Sequence, residues 1–456
     1  MTVITLGIED VQSKSQNAGR ILLENMYLVD SPFSPDGISR VSRPTLTNYL
    51  TVGSGPILGM FHQQGSLDSY TFIVSGNELY KSRSTEDATF VGLIPGTGYC
   101  KFAAGSDRLL ILRDGACYST DGTSVSSVTM PDKEDVGSIA YIDSFFFLSV
   151  KDSQKFYWIQ PGQTFPDPLD FASAERFPDN IVSINIVADE IWIIGNSSIE
   201  VWVASNDPDA PFQRVSGRSY SYGAATNDTM VSMTYNGFPC LIWVTDKLTV
   251  AMAQGSPTRI SNDSVDEILR SSSDFRAWGF EFNRHSFYIL TCKDGTFAFD
   301  LAKQTWSRWS SYNEVYWRAH LGIQDDSTCF AGDSKTNQVW KLEDGESDGD
   351  DPIIRSVSGI VISPASYLPC TRVNVMMNAG WTGMYGPSAV LELRWSDDLG
   401  LTWTDYFPAK IGELGQYGTT VSYTGLGTIV RPGRMFQFRF SDKARFRLDY
   451  ATMNEA

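Results

Sequence analysis

The sequence predicts an all-β chain: a β-propeller of six or seven blades followed by a C-terminal β-sandwich-like domain. Three observations carry this expectation. A hairpin unit recurs through the middle of the chain, and an acidic, glycine-rich stretch near residue 346 ends the pattern. The composition, with 26 Phe, 20 Tyr and 12 Trp beside 38 Gly, favours many short strands joined by tight turns.

The repeat is weak in identity and clear in texture. Its copies read DSYTFIVSGNELYKS, SDRLLILRDGACYST, IDSFFFLSVKDSQKFYWI, ADEIWIIGNSSIEVWVAS, NGFPCLIWVTDKLTVAMA, NRHSFYILTCKDGTFAFD and DDSTCFAGDSKTNQVWKL. Each is a polar turn, a strongly apolar strand, a Gly, Asn or Asp turn, and a second strand carrying, in most copies, Tyr, Phe or Trp. They return every ~35 to 48 residues, the length of one four-stranded blade. The first strand of each copy holds too many apolar residues for a one-sided sheet, so burial on both faces is expected. Helix is scarce; SNDSVDEILRSS, capped by Asn262 or Asp263, is the best short candidate.

These signals divide the chain into an N-terminal arm (1–40), a propeller (41–345), an acidic linker (346–352) and a sandwich-like domain (353–456). The arm segment AGRILLENMYLVD reads as a strand that completes the last blade or meets a neighbouring chain. The acids Asp344, Asp348, Asp350 and Asp351 lack EF-hand spacing and read as solvated.

Charge and composition exclude several classes. A net charge of −17 argues against a surface that grips nucleic-acid phosphates throughout. No apolar run approaches the roughly 18 residues of a membrane helix, so no membrane insertion is expected. MTVITLGIEDVQSKSQ lacks a basic segment followed by an apolar one, which leads us to expect synthesis in a cytoplasm. The six cysteines lie far apart with no C-x-x-C pair, and there are three histidines, His62, His285 and His320. Buried free thiols and structural imidazoles are expected, with no metal and no cofactor.

The most recognisable short motif is RWSDDLGLTW. Ser396, Asp398, Gly400, Thr402 and Trp403 fit the S-x-D-x-G-x-T-W Asp-box of neuraminidase propellers. A sialidase, however, needs an arginine triad, a tyrosine nucleophile and its glutamate around the propeller axis. Here the single Asp-box lies outside the repeats, so it is read as a structural hairpin. No G-x-S-x-G, H-E-x-x-H or G-x-x-x-x-G-K-[ST] motif is present, and no catalytic residue is assigned. A carbohydrate-binding propeller, receptor-binding or glycosidase-like, is the alternative from another class.

The stretch from 170 to 217, DFASAERFPDNIVSINIVADEIWIIGNSSIEVWVASNDPDAPFQRVSG, resembles the packaged-DNA stabilisation, tail hub or nozzle proteins of short-tailed bacteriophages. The resemblance is carried by Ala174, Glu175, Pro178, Asp179, Trp192, Gly195, Ile199, Glu200, Val201, Trp202, Pro211 and Phe212. Upstream, RPTLTNYLTVGSGPILGMF looks like the family's opening turn, with Pro44-Thr45 where Pro-Gly is usual. Downstream, TWSRW, FAGDSKTNQVWKL, LRWSDDLGLTW and IGELGQYG follow in the family's order. The resemblance implies a structural virion protein with no catalytic residues. Such chains form a homohexameric ring below the portal and its adaptor, retain packaged double-stranded DNA and give it passage at ejection. A tail fibre, spike or needle is a possible further partner, and assembly in the host cytoplasm is implied. Asp207, Asp209, Pro211 and Phe212, in the insertion SNDPDAPFQ, are candidates for a channel or interface loop.

Overall fold

The computed structural model describes residues 2–12, 20–83, 88–205, 207, 211–363, 367–378, 389–417 and 419–454. Seven four-stranded antiparallel meanders follow one another: 57–93, 101–128, 136–173, 181–220, 231–259, 276–309, and a last one of 319–343. They are blades 1 to 7. Six are separate sheets, and blade 6 continues into a larger one. The fourth strand of blade 7 is Thr45–Thr51, which pairs antiparallel with Gln338–Glu343 and joins the two ends of the propeller.

The seven hairpins read from the sequence are the second and third strands of the seven blades. Their two-faced apolarity has a simple cause, since successive side chains on a strand point to opposite faces. In blade 2, Leu109 and Ile111 enter the cluster shared with blade 1, while Leu110 and Leu112 enter that shared with blade 3. In blade 4, Ile191 and Ile193 face blade 3, and Trp192 and Ile194 face blade 5. Seven such clusters occupy the seven interfaces. The one formed by Ile57, Ile73, Ile323 and Val339 lies between blades 7 and 1 and closes the circle. Each fully buried Leu, Ile or Phe in these clusters contributes about 1.5–3 kcal/mol.

The helix Asp263–Ser271 lies between blades 5 and 6. Asn262 caps it, its side-chain oxygen accepting the Val265 N–H at 2.9 Å. Val265 and Leu269 face the core. All six cysteines are buried and free.

Most of the remaining strands form a two-layer sandwich around one core. One layer runs Phe407–Lys410, Val390–Ser396, Gly433–Phe440, Arg355–Ile362. The other runs Val421–Thr424, Arg372–Met377, Arg447–Met453, Ile38–Ser42, Met26–Asp30. Thr2–Leu6 crosses between them, its first residues pairing with Ala451–Met453 and its last two with Gly359 and Ile360. The described residues before 43 are thus largely strands of the sandwich, and the propeller is inserted between its parts. The segment expected to complete the last blade does something else: Leu23–Glu24 bridges Thr305–Trp309 of blade 6 to Arg355–Ile362, so one sheet runs through both units. Thr45–Thr51 takes the closing position because TLTNYLT offers a longer extended edge.

The acidic stretch is not wholly solvated either. Ser347–Asp348 and Asp351–Pro352 form a tight hairpin, and Asp348 turns inward at 8 % exposure. The Arg43 guanidinium donates to both its oxygens at 3.0 and 2.6 Å, and the Leu46 N–H donates at 3.0 Å. Arg43 also donates to the Asn25 side-chain oxygen and to the carbonyls of Pro44 and Ser310, and lies over the Trp317 ring. Asn25, in a left-handed conformation at φ 55°, donates to Ser310 Oγ and the Ile354 carbonyl. Arg355 completes the junction, bonded to Ser42 Oγ and the Glu346 carbonyl; burial, with Arg43 nearby, pulls its guanidinium down to about 10.

Removing one partner of such a buried pair leaves an uncompensated charge, which costs about 3–5 kcal/mol. Asp348→Ala is therefore expected to lower the urea midpoint read by tryptophan fluorescence. Arg43→Met with Asp348→Leu should recover part of the loss. An unchanged midpoint in Asp348→Ala would show that the pair does not hold the junction.

Candidate functional site

The Asp-box is a closed hairpin. Asp398 accepts the N–H groups of Leu401 and Thr402 at 3.0 and 2.8 Å and the hydroxyls of Ser396 and Thr402 at 2.6 and 2.5 Å. These bonds hold its carboxyl far below the usual carboxylate range. Gly400 adopts φ 98°, which favours glycine, and its carbonyl accepts the Trp403 indole N–H at 3.1 Å. The Arg394 guanidinium stacks 4.7 Å from the Trp403 ring. The side-chain oxygens of Ser396, Asp398 and Thr402 and the Trp403 indole N–H are thus all bonded within the turn, and Asp398 has little capacity left for a ligand.

The insertion between the last two strands of blade 4 separates the four loop candidates. Asp209 lies outside the described residues. Asp207 donates its N–H to Ser205 Oγ, and the Pro211 carbonyl accepts the Ser205 N–H at 2.8 Å, closing the loop. Phe212 is buried, packed against Phe145, Phe147 and Trp158 of blade 3. It anchors the loop to the core and does not line a surface.

A polar cluster that the sequence did not reveal sits at the propeller axis. Tyr99 lies in the connection from blade 1 to blade 2, and Lys101 opens the inner strand of blade 2. Asp228 precedes blade 5, while Arg276 and His320 begin the inner strands of blades 6 and 7. Every inner strand starts at the same end of the axis, so residues scattered over the chain converge. Lys101 Nζ lies 3.5 Å from Asp228 Oδ1. The Arg276 guanidinium lies 4.1 Å over the Tyr99 ring. The cluster borders two adjacent cavities of about 610 and 220 Å³ that share Tyr99, Lys101 and Asp228. Arg276 is the one arginine among the described residues lining them, where a sialidase would present three. No spacing rule joins these five residues. The signal that could have found them is position, since four of the five begin an inner strand or lead directly into one.

His320 is 2 % exposed and has a defined proton arrangement. Nε2–H donates to the Ile57 carbonyl at 3.2 Å, which leaves Nδ1 to accept from the Tyr99 hydroxyl at 3.3 Å and Arg276 Nη1 at 3.4 Å. Burial first, then the Arg276 charge, pulls its pKa from 6.5 down to about 4. Between those values the unfolded chain binds the proton and the folded chain does not. Stability is therefore expected to fall as pH drops from about 6.5 to 4, by on the order of 3 kcal/mol from this residue. Denaturation midpoints of wild type and His320→Gln, compared across that window, should differ in slope. Parallel curves would remove His320 from the balance.

Comparison with known proteins completes the picture. No curated protein matches the chain in sequence. Among solved structures, the computationally designed Ika8 protein is 12% identical and matches 74% of this chain and 100% of its own with a TM-score of 0.39. A family model described as bacteriophage P22 Gp10, β-propeller, matches residues 17–347, from the strands that lead into the propeller to its last blade. Since that match spans well over half of the sequence, the chain belongs to this family of phage stabilisation propellers.

Proposed function

We propose that the chain is a ring-forming component of a short phage tail, seated below the portal and its adaptor, which retains packaged DNA and provides its exit. The family match over residues 17–347 carries this reading. Three physical features support it.

The axial cavities, of about 610 and 220 Å³, are the size of small-molecule sites. A duplex cannot thread one chain, so its passage lies between chains, as a ring provides. The net charge of −17 suits such a passage, because an acidic wall repels phosphates and lets the polymer slide. Finally, the sheet that runs from blade 6 into the sandwich, together with the buried Arg43–Asp348 pair, makes a stiff subunit. Opening then falls to rotation of whole subunits, or to the insertion 205–211, and not to bending at the acidic linker.

A heterologous ring must close on itself, so a template favours it over free assembly. Negative-stain images of the purified chain mixed with its head-to-tail adaptor should show a six-fold ring on the portal axis. Separate toroids with the adaptor unbound would overturn the proposal. Replacement of 206–210 by Gly-Ser, with Phe212 kept, should leave ring assembly intact and make DNA retention leaky. Virions that hold their DNA normally would exclude this loop as the gate.

A further inference from the structure

We propose that the axial cavity bordered by blades 1, 2, 6 and 7 is a binding site for a small oxyanion, a phosphate or carboxylate on a compact body, held between Lys101 and Arg276. It is independent of ring assembly, because every lining residue belongs to one chain.

The balance of charge is the first argument. Lys101 and Arg276 are cationic, Asp228 is the one carboxylate among the described residues lining the smaller cavity, and His320 is held neutral by burial and by the neighbouring Arg276 charge. This small cavity of about 220 Å³ is therefore net positive within a chain of net charge −17. Acidic surroundings would not accumulate this charge by default.

Donor capacity is the second. A guanidinium has five N–H donors and an ammonium three. Arg276 has His320 Nδ1 and the Tyr99 hydroxyl as its bonding partners, and the Asp228 carboxylate faces Lys101 at 3.5 Å, near the outer limit of an ion pair. Both groups line the cavity, and each has more donors than these contacts use. Partial burial makes such donors unfavourable unless they are met, and an incoming oxyanion meets both groups at once. Burial pushes the Lys101 ammonium down, and the Asp228 charge only partly restores it, as expected for a cation short of counter-charge.

The third is preorganisation. Arg276 is braced by its bond to His320 and by stacking on Tyr99, and both basic residues stand on rigid inner strands. Phe102 and Trp278 supply apolar walls that suit a carbon body behind the charged head.

Isothermal titration of the full chain, in separate arms with inorganic phosphate and with benzoate, tests the site. One saturable site per chain for either probe is expected, and the arm that binds identifies the head group. Lys101→Met and Arg276→Met should each weaken it about tenfold or more, the loss of one charge-assisted contact. Asp228→Asn should tighten it, because the competing carboxylate is gone. Lys151→Met, in the lining of the adjacent larger cavity, should change it by less than about twofold, through a screened charge alone. Absence of saturable binding in both arms would overturn the proposal, as would binding insensitive to Lys101 and Arg276 alike. Should a methionine variant fail to fold, Asp228→Asn decides alone: tighter binding supports the site, and equal or weaker binding overturns it.

Discussion

No blade in this chain can be stable alone, and the rest of the structure follows from that constraint. A second strand such as Leu109–Arg113 is buried on both faces, so each blade carries two apolar surfaces that only neighbours can cover. A linear stack would leave two uncovered faces, large enough to drive aggregation. Bending the stack into a circle covers both, and the Ile57, Ile73, Ile323 and Val339 cluster is where that happens. Closure then needs a link that survives thermal opening. The chain supplies it by placing Thr45–Thr51, which precedes blade 1, on the edge of blade 7.

The same link ties the propeller to the sandwich. Because the closing strand enters from Ile38–Ser42 and the last blade leaves toward Arg355–Ile362, both crossings occur side by side beneath blade 6. Leu23–Glu24 fills the gap between the sheets, and Asn25, Arg43, Asp348 and Arg355 fill the polar junction. A continuous sheet resists bending far better than a peptide linker. This stiffness lets force at one unit reach the other.

Local features were legible in the sequence and convergent ones were not. The hairpins were readable because a period of two and Gly, Asn or Asp turns are written within about 15 residues. The helix cap at Asn262 and the Asp-box turn were readable for the same reason. Asp348 was misread because burial of a carboxylate depends on its partner, and Arg43 lies 305 residues away. Phe212 was placed on a surface loop because its neighbours are polar, whereas Phe145 and Phe147 of another blade decide its burial. The axial cluster combines five residues from four places in the chain, and only closure of the ring brings them together.

That Arg43 sits two residues before the closing strand has a further meaning. A strand added to an edge from far along the chain has no turn to set its register, and a slip of one residue would reverse its faces. Leu46, now in the apolar cluster between blades 6 and 7, would turn to the opposite face. Asp348 prevents this by gripping Arg43 on one side of the strand's start and the Leu46 N–H on the other, so only one register satisfies both contacts. Apolar residues could fill the same volume at equal or lower free energy, because burial of ions is costly. They would not distinguish one register from the next, and a ring closed in the wrong register could not bury blade 7.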